Sequence, residues 1–244
     1  MGELIAVLSG KGGTGKTSVC AGVATALAEM GLRVLCIDCD VGLRNLDISL
    51  GLSHAGALSF LDVAQGGYSL EQATVHPRYP KLSFLTAPVN CQVGNIDKAA
   101  FRNMLSKARM EYHYVFLDAP AGIDAGFHLA AQYADRVVLV TGPDPAAVRD
   151  ASRAGELLEL MGKKDVRLVV NRINKKILST VNMTVDDVMD TAGLPLLGVV
   201  PEDPNVVLAA AFMKPLLEQT RRGAGAACRR IAKRLQGQKV PIGL

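Results

Sequence analysis

The stretch Gly10-Lys11-Gly12-Gly13-Thr14-Gly15-Lys16-Thr17 decides the fold. Two glycines with four residues between them, followed by Lys and Thr, form the pattern of a phosphate-binding loop. Such glycines let backbone N–H groups turn inward around phosphate oxygens, and the N-terminus of the following helix attracts negative charge. We expect phosphate contacts from this whole stretch and from Ser18, with Lys16 at the β- and γ-phosphates and Thr17 as a ligand of Mg²⁺.

Around this loop, short apolar runs alternate with longer helical segments. Most of the runs are continuous rather than alternating, which is typical of parallel strands buried on both faces. Strands and helices in alternation predict an α/β fold, with a single doubly wound, mostly parallel sheet and helices on both faces. We expect residues 1–244 to form one domain. The predicted strands are Leu4–Leu8, Val34–Asp38, Leu82–Thr86, Tyr114–Asp118, Val137–Thr141, Arg167–Asn171 and Leu196–Val200. The predicted helices include Lys16–Met30, Ala99–Arg109, Ala146–Met161 and Val206–Glu218.

The composition excludes several classes of protein. Apolar residues make up 49% of the 244 residues, so the chain can bury a core and is not a disordered tail. Aromatic residues make up only 5% and Trp is absent, which argues against an aromatic surface for single-stranded nucleic acid. No apolar run reaches the length of a membrane span. Five cysteines do not suggest a disulfide framework, so we expect a cytoplasmic protein.

The C-terminal segment 221–244 is basic. It has no acidic residue, while the rest of the chain has slightly more acidic than basic residues. Its apolar residues Cys228, Ile231 and Leu235 have the spacing of one helical face. We expect this helix to pack on the body of the protein with a solvated basic face; attachment to an anionic membrane is the alternative. The basic residues are Arg221, Arg222, Arg229, Arg230, Lys233, Arg234 and Lys239.

Polar residues follow the predicted strands, and in a parallel sheet such strand ends meet at one edge. Asp118 ends the run Tyr-Val-Phe-Leu-Asp, and we expect it to hold Mg²⁺ through water. Asp38 and Asp40 end a neighbouring strand. We expect Asp40 to orient the attacking water and to lie near the metal, but spacing alone leaves the roles of Asp38 and Asp40 open. Asn171-Arg172 and Pro201-Glu202-Asp203 follow two further strands.

Lys11 is a second lysine within the phosphate loop, and it cannot easily reach the phosphates that Lys16 occupies. With this deviant Walker A pattern, Lys11-Gly-Gly-x-Gly-Lys16-Thr, the chain resembles the ParA/MinD family of P-loop ATPases, of the SIMIBI type. The resemblance implies an ATP-dependent homodimer. It also implies that Lys11 crosses the dimer interface and stabilises charge on the partner's transferring phosphoryl group.

Three more stretches resemble the MinD-type members of this family, which determine the site of the division septum. They are Asp40-Val-Gly-Leu-Arg-Asn-Leu-Asp47, Asp118-Ala-Pro-Ala-Gly-Ile123, and Ala147-Val-Arg-Asp150. The resemblance implies that Arg44 and Asp150 contact a protein activator or inhibitor of the division-site system. It also implies that ATP is preferred over GTP, with the side-chain amide of Asn171 at the adenine edge. The remaining residues around the base would be Arg172, Pro201, Glu202 and Asp203.

Alternatives remain within and beyond the family. Flagellar-number ATPases and chromosome or plasmid partition ATPases share the core, and a metabolic P-loop ligase is a more distant alternative. Because the loop Gly42–Asp47 is MinD-like, we do not expect nucleic-acid binding. In the resembled family a membrane helix would begin near Leu244, so peripheral membrane association is expected only if another element supplies it. Cys36 and Cys39 form a C-x-x-C pattern that we interpret as core packing.

Overall fold

The computed structural model describes residues 1–52, 56–89 and 91–243, and its strands in these ranges form a single sheet. The strand order is β3-β4-β2-β5-β1-β6-β7-β8, and every neighbouring pair is parallel except β3–β4. The strands are Glu3–Leu8 (β1), Val34–Asp38 (β2), Thr74–Val75 (β3), Leu82–Leu85 (β4), Tyr114–Asp118 (β5), Arg136–Thr141 (β6), Val166–Ile173 (β7) and Leu196–Pro201 (β8).

The helices in the same ranges cover both faces of the sheet, so the predicted α/β fold is confirmed. They are Lys16–Glu29 (α1), Leu46–Leu50 (α2), Phe60–Ala64 (α3), Lys98–Glu111 (α4), Ala125–Tyr133 (α5), Pro145–Leu160 (α6), Lys175–Thr180 (α7), Val185–Ala192 (α8), Pro204–Ala211 (α9), Leu216–Gln219 (α10) and Gly223–Leu235 (α11). None of them is both long enough and apolar enough to cross a lipid bilayer.

One strand was not predicted, and one predicted helix was wrong. The edge strand β3 was missed, because two residues are too short to show a periodic pattern. The predicted helix Val206–Glu218 is interrupted and forms α9 and α10 instead. Met213 adopts a left-handed backbone with φ of 54°, and Pro215 has no N–H to continue a helical ladder. The break therefore follows from the proline.

The alternation of side chains in β2 separates the core into two faces. Val34 and Cys36 lie in the core beneath α1, whereas Leu35 and Ile37 lie in the core beneath α4 and α5. Cys39, beyond the end of β2, belongs to the second of these cores. Cys36 and Cys39 therefore face opposite sides of the sheet, and each packs in a core, as the sequence predicted.

Helix α11 of the basic C-terminal segment packs against α1 and β8; Leu244 lies outside the described residues. Two glycines make the close approach possible. A Cβ at Gly22 of α1 would lie 2.6 Å from Cys228 Sγ, and one at Gly198 of β8 would lie 2.6 Å from Ile231 Cγ1. The arginines of α11 are not simply solvated, because Arg229 donates two hydrogen bonds to Glu29, at 2.9 and 3.0 Å.

Candidate nucleotide-binding site

The phosphate loop connects β1 to α1 at the carboxyl edge of the central strands. Gly13 and Gly15 have φ of 81° and 83°, a left-handed backbone that favours glycine. Gly15 occupies the N-cap position of α1 and has no side chain that could accept a hydrogen bond from the first N–H groups of the helix. The hydroxyls of Ser9 and Thr14 are buried without a hydrogen-bond partner in the described part of the chain. These donors fit a phosphate group.

The close approach of helix α6 to the phosphate loop leaves no room for a side chain at Gly10. A Cβ at Gly10 would lie 2.4 Å from the backbone oxygen of Asp150 and 3.0 Å from its Cβ. The phosphate loop and the second turn of α6 are therefore in direct contact. Asp150 itself is half-buried in the second turn. Asp150 does not cap α6, because the N-cap is Asp144, which accepts a hydrogen bond from the backbone N–H of Ala147 at 3.0 Å.

Lys16 and Asp118 form a buried ion pair, with Nζ and Oδ1 2.5 Å apart. Burial lowers the pKa of Lys16, but the charge and hydrogen bond of Asp118 outweigh burial and raise the pKa above its ordinary value. The same Nζ lies 3.1 Å from the Thr17 hydroxyl oxygen. A hydroxyl and a carboxylate are the oxygen ligands that Mg²⁺ prefers. The sheet thus brings Lys16, Thr17 and Asp118 together, as the sequence predicted.

The structure distinguishes Asp38 from Asp40 by their surroundings. Asp38 is buried, and its two oxygens accept hydrogen bonds from the backbone N–H groups of Asp40 and Leu46, at 2.9 and 3.2 Å. Burial and the neighbouring Asp118 carboxylate raise the pKa of Asp38 to about 7. Asp40 is only half-buried; burial raises its pKa too, against the opposing charge of Lys16. The Asp38 carboxylate thus shapes the loop after β2, whereas that of Asp40 is more accessible.

Lys11 contacts α6 of its own chain in this structure. Its Nζ lies 3.2 Å from Oδ1 of Asp144, and the two side chains are 39% and 54% exposed. The oxygen that accepts from Lys11 is also the one that caps α6. Sequence reasoning missed Asp144, although an Asp followed directly by Pro145 is a recognisable start of a helix.

The residues expected around the base line a cavity of about 280 Å³ beside the loop. The Asn171 side chain donates a hydrogen bond from Nδ2 to the Thr14 carbonyl at 2.7 Å. Asp203 accepts hydrogen bonds from the backbone N–H of Asn205 at 2.9 Å and of Ala224 at 3.0 Å, so one carboxylate caps both α9 and α11. Lining residues that were predicted are Gly15, Ser18, Asn171, Arg172, Pro201, Glu202 and Asp203; those that were missed include Val206, Leu216, Ala224 and Cys228.

Arg44, expected to contact a protein partner, donates from Nε to the Thr86 hydroxyl at 3.0 Å. Its backbone φ is 48°, a left-handed conformation that is strained for arginine. The loop after β2 therefore contacts the end of β4. Asp150 lies on a different element, α6. It adjoins the phosphate loop at Gly10, whereas Arg44 adjoins the end of β4.

Comparison with known proteins identifies a nucleotide-binding family. The profile of the CobQ/CobB/MinD/ParA nucleotide binding domain matches residues 5–216. The septum site-determining protein MinD of Bacillus subtilis is 38% identical over 250 aligned positions, which cover 99% of this chain and 92% of the relative. The MinC:MinD cell division protein complex of Aquifex aeolicus has a TM-score of 0.91 at 34% identity, covering 99% of this chain and 98% of that chain.

A further similar structure is that of the septum site-determining protein MinD complexed with Mg-ADP from Pyrococcus horikoshii OT3. Its TM-score is 0.83 at 28% identity, and the match covers 96% of both chains. The fold and the phosphate loop define a P-loop ATPase of the CobQ/CobB/MinD/ParA class. Within this class, the chain belongs to the MinD family of septum site-determining proteins. The family resemblance is thus confirmed.

Proposed function

We propose that this chain is an ATP-driven dimeric switch that hydrolyses ATP to ADP and phosphate and helps to place the division septum through nucleotide-gated binding of partners. The observation that carries the proposal is the pair of lysines in one loop. Lys16 is buried against Asp118 at the strand ends, whereas Lys11 lies at the surface against Asp144. This difference in burial supports a role for Lys16 at the nucleotide of its own chain and a role for Lys11 at the nucleotide of a second protomer.

The residues of the site would act as follows. The loop Gly10–Ser18 would bind the phosphates through its backbone and Lys16, and Thr17, Asp118 and Asp40 would hold Mg²⁺, directly or through water. Bound Mg²⁺ would neutralise charge on the phosphate oxygens. Asp40 would orient the attacking water, while Asp38 holds the loop that carries Asp40. No group of three acidic, His or Cys side chains that could by itself hold a metal ion occurs in the described residues, and a Mg²⁺ bound mainly to phosphates and water does not need one.

The second protomer would complete the site. Lys11 would leave Asp144 and contact the phosphates bound by the partner protomer, which stabilises the charge that develops during phosphoryl transfer. The base would lie in the cavity bounded by Asn171, Arg172 and the segment Pro201–Asp203. We place the protein in the cytoplasm, with peripheral association at the inner face of the cell membrane as a second location. We treat residues 1–244 as one ATPase unit, because α11 packs on both α1 and β8.

The test separates the two lysines. Lys16→Ala is expected to abolish ATP binding in calorimetry. Lys11→Ala is expected to retain ATP binding but to lose ATP-dependent dimerisation in light scattering and to lose phosphate release. The exposed Lys107 of α4 offers a matched control, and Lys107→Ala should behave as wild type. Normal dimerisation and turnover by Lys11→Ala would refute the assignment of Lys11 to the partner's nucleotide.

The partner proposal concerns Asp150 and Arg44. The similar Aquifex chain is part of a complex with MinC, so we infer that a MinC-like protein or another regulator of the division-site system binds near these residues. Asp150→Ala should leave the melting temperature and basal ATPase unchanged, because Asp144 caps α6, but should weaken co-sedimentation with MinC in the presence of ATP. A lowered melting temperature with full MinC binding would leave Asp150 with a structural role only.

A further inference from the structure

The cavity expected to hold the base has a wall that none of the recognised motifs supplies. The C-terminal helix α11 contributes Ala224 and Cys228 to this wall, and both side chains are buried. Leu216 of α10 and Val206 of α9 extend the same apolar surface. Gly15 of the phosphate loop and Ser18 of α1 line the same cavity. Part of the cavity lining therefore comes from a helix about two hundred positions beyond the loop.

The position of this wall is fixed from three directions. Cys228 fits against Gly22 of α1, where even a methyl group would come within 2.6 Å of its sulfur. Ile231, one turn further along α11, fits against Gly198 of β8 in the same way. At the start of the helix, Asp203 accepts the Ala224 N–H, and a Cβ on Gly223 would lie 2.2 Å from the same carboxylate. A wall held in this way cannot retreat to admit a larger group without disturbing packed backbone.

The chemistry of the wall suits an uncharged flat ring. Ala224 presents only a methyl group. The thiol of Cys228 stays protonated, because burial raises its pKa to about 12. The nearby Asp203 carboxylate already accepts three N–H hydrogen bonds, two of them from Asn205, of the about four that a carboxylate can accept. Polar contacts to a base would then come from Asn171 and backbone groups, while the wall would contribute shape.

We propose that Ala224 and Cys228 are specificity-determining residues, which limit the depth of the base cavity and so select the purine that binds beside the phosphate loop. The inference rests on the proposed function, in which the base of ATP occupies this cavity. It assigns to α11 a part in nucleotide selection in addition to its packing role.

The first test compares ATP with inorganic tripolyphosphate, which has the phosphates but no base. In calorimetry, Ala224→Leu is expected to bind ATP at least about tenfold more weakly than wild type, because the added side chain fills the cavity, and to bind tripolyphosphate unchanged. The matched control is Ala226→Leu, two residues along the same helix at a partly exposed position outside the cavity lining. It should retain wild-type affinity for both ligands. Equal ATP affinity for the two variants would overturn the proposal.

The second test enlarges the cavity and does not depend on Ala224→Leu folding. Cys228→Ala removes the sulfur from the wall, and ATP analogues with a benzyl group at N6 or at C8 serve as probes. At least one analogue should gain several-fold in affinity relative to ATP. A gain for neither analogue would overturn the proposal. Wild-type protein that binds tripolyphosphate but not ATP would instead refute the proposed function, on which the inference rests.

Discussion

At the scale of single residues, the buried pair Lys16–Asp118 joins stability to nucleotide binding. Both side chains are almost completely buried, and their charged atoms are 2.5 Å apart. Removal of one partner from such a pair leaves an uncompensated buried charge, which is much more costly than replacement of both. A variant of Lys16 therefore has two separable effects, one on the fold and one on ligand binding.

We expect Lys16→Ala to lower the free energy of unfolding by about 3–5 kcal/mol, because the Asp118 carboxylate would lose its charge partner. The double variant Lys16→Met, Asp118→Asn should regain most of this stability in chemical denaturation but should not regain ATP binding. If Lys16→Ala is as stable as wild type, the ion pair contributes little to the free energy of unfolding, despite the short distance between its charged atoms.

The second residue-scale prediction concerns Asp144. Asn is as good an N-cap as Asp, so Asp144→Asn should keep the hydrogen bond from Ala147 while it removes the charge that holds Lys11. Because both side chains are over a third exposed, the ion pair contributes at most about 1 kcal/mol after screening. Freed Lys11 should therefore favour the ATP-dependent dimer by up to about fivefold in sedimentation equilibrium.

The control for this prediction is Asp97→Asn, which changes the N-cap of α4 in the same way at an exposed position. It should leave dimerisation unchanged. A weaker dimer for Asp144→Asn would show instead that Asp144 supports Lys11 in the dimer and does not restrain it.

At the scale of elements, His76 connects the edge hairpin β3–β4 to the helix α2. Its ring is buried; Nδ1 accepts hydrogen bonds from the backbone N–H groups of Arg78 and Tyr79, and Nε2 lies 2.9 Å from the carbonyl oxygen of Leu50. With Nδ1 as acceptor, the neutral ring carries its proton on Nε2 and donates it to Leu50. Charging the ring would cost both Nδ1 hydrogen bonds. The hairpin and the loop after β2 are thus joined through one neutral imidazole.

This connection predicts a pH dependence. Burial and the charge of Arg78 lower the pKa of His76, against the hydrogen bond to Leu50 and the charge of Glu218, which raise it. In the unfolded state His76 has its ordinary pKa of about 6.5, so below this pH the unfolded state binds more protons than the folded state does. The free energy of unfolding should therefore fall as the pH drops from 6.5 toward 5. In His76→Asn this fall should be smaller, as measured by urea denaturation at several pH values.

The variant His128→Asn, at an exposed position on α5, provides the comparison. It should show the same dependence on pH as wild type. If His76→Asn and wild type lose stability in parallel between pH 6.5 and 5, the pH dependence arises from other groups.

At the scale of the whole molecule, the C-terminal basic segment belongs to the fold. Arg230 donates to the backbone carbonyls of Ile242 and Gly243, and Arg234 donates to those of Val240 and Leu197. Arg229 is paired with Glu29. Three of the seven basic side chains of this segment thus have partners among the described residues, and the charge of Arg229 is balanced by that of Glu29.

We therefore expect Arg229→Ala to reduce stability by up to about 1 kcal/mol, through loss of a partly exposed ion pair, and to have no effect on DNA association. Lys233→Ala, at an exposed position on the same helix, should leave stability unchanged. Melting curves and sedimentation with DNA, with and without ATP, measure both effects. ATP-dependent DNA binding that Arg229→Ala abolishes would contradict this prediction and favour a partition ATPase.

Much of the architecture could be predicted from the sequence alone. The loop Gly10–Thr17 and the continuous apolar runs specify a parallel sheet with a phosphate site, because strand burial and loop conformation depend on residues that are close in the chain. The convergence of Asp38, Asp118 and Asn171 at one edge also follows, since parallel strands end together. The break between α9 and α10 could have been predicted from Pro215. The two-residue strand β3 could not, because its pairing depends on β4.

Side-chain partners, in contrast, were decided only by the tertiary structure. Lys11 contacts a carboxylate 133 positions away, and Asn171 contacts a carbonyl 157 positions away. The wall that Ala224 and Cys228 form depends on glycines in α1 and β8 that let α11 approach. No local pattern encodes such contacts, because they arise from how helices pack across the finished sheet. The sequence by itself therefore determined the class of site and its position, and packing determined which groups surround it.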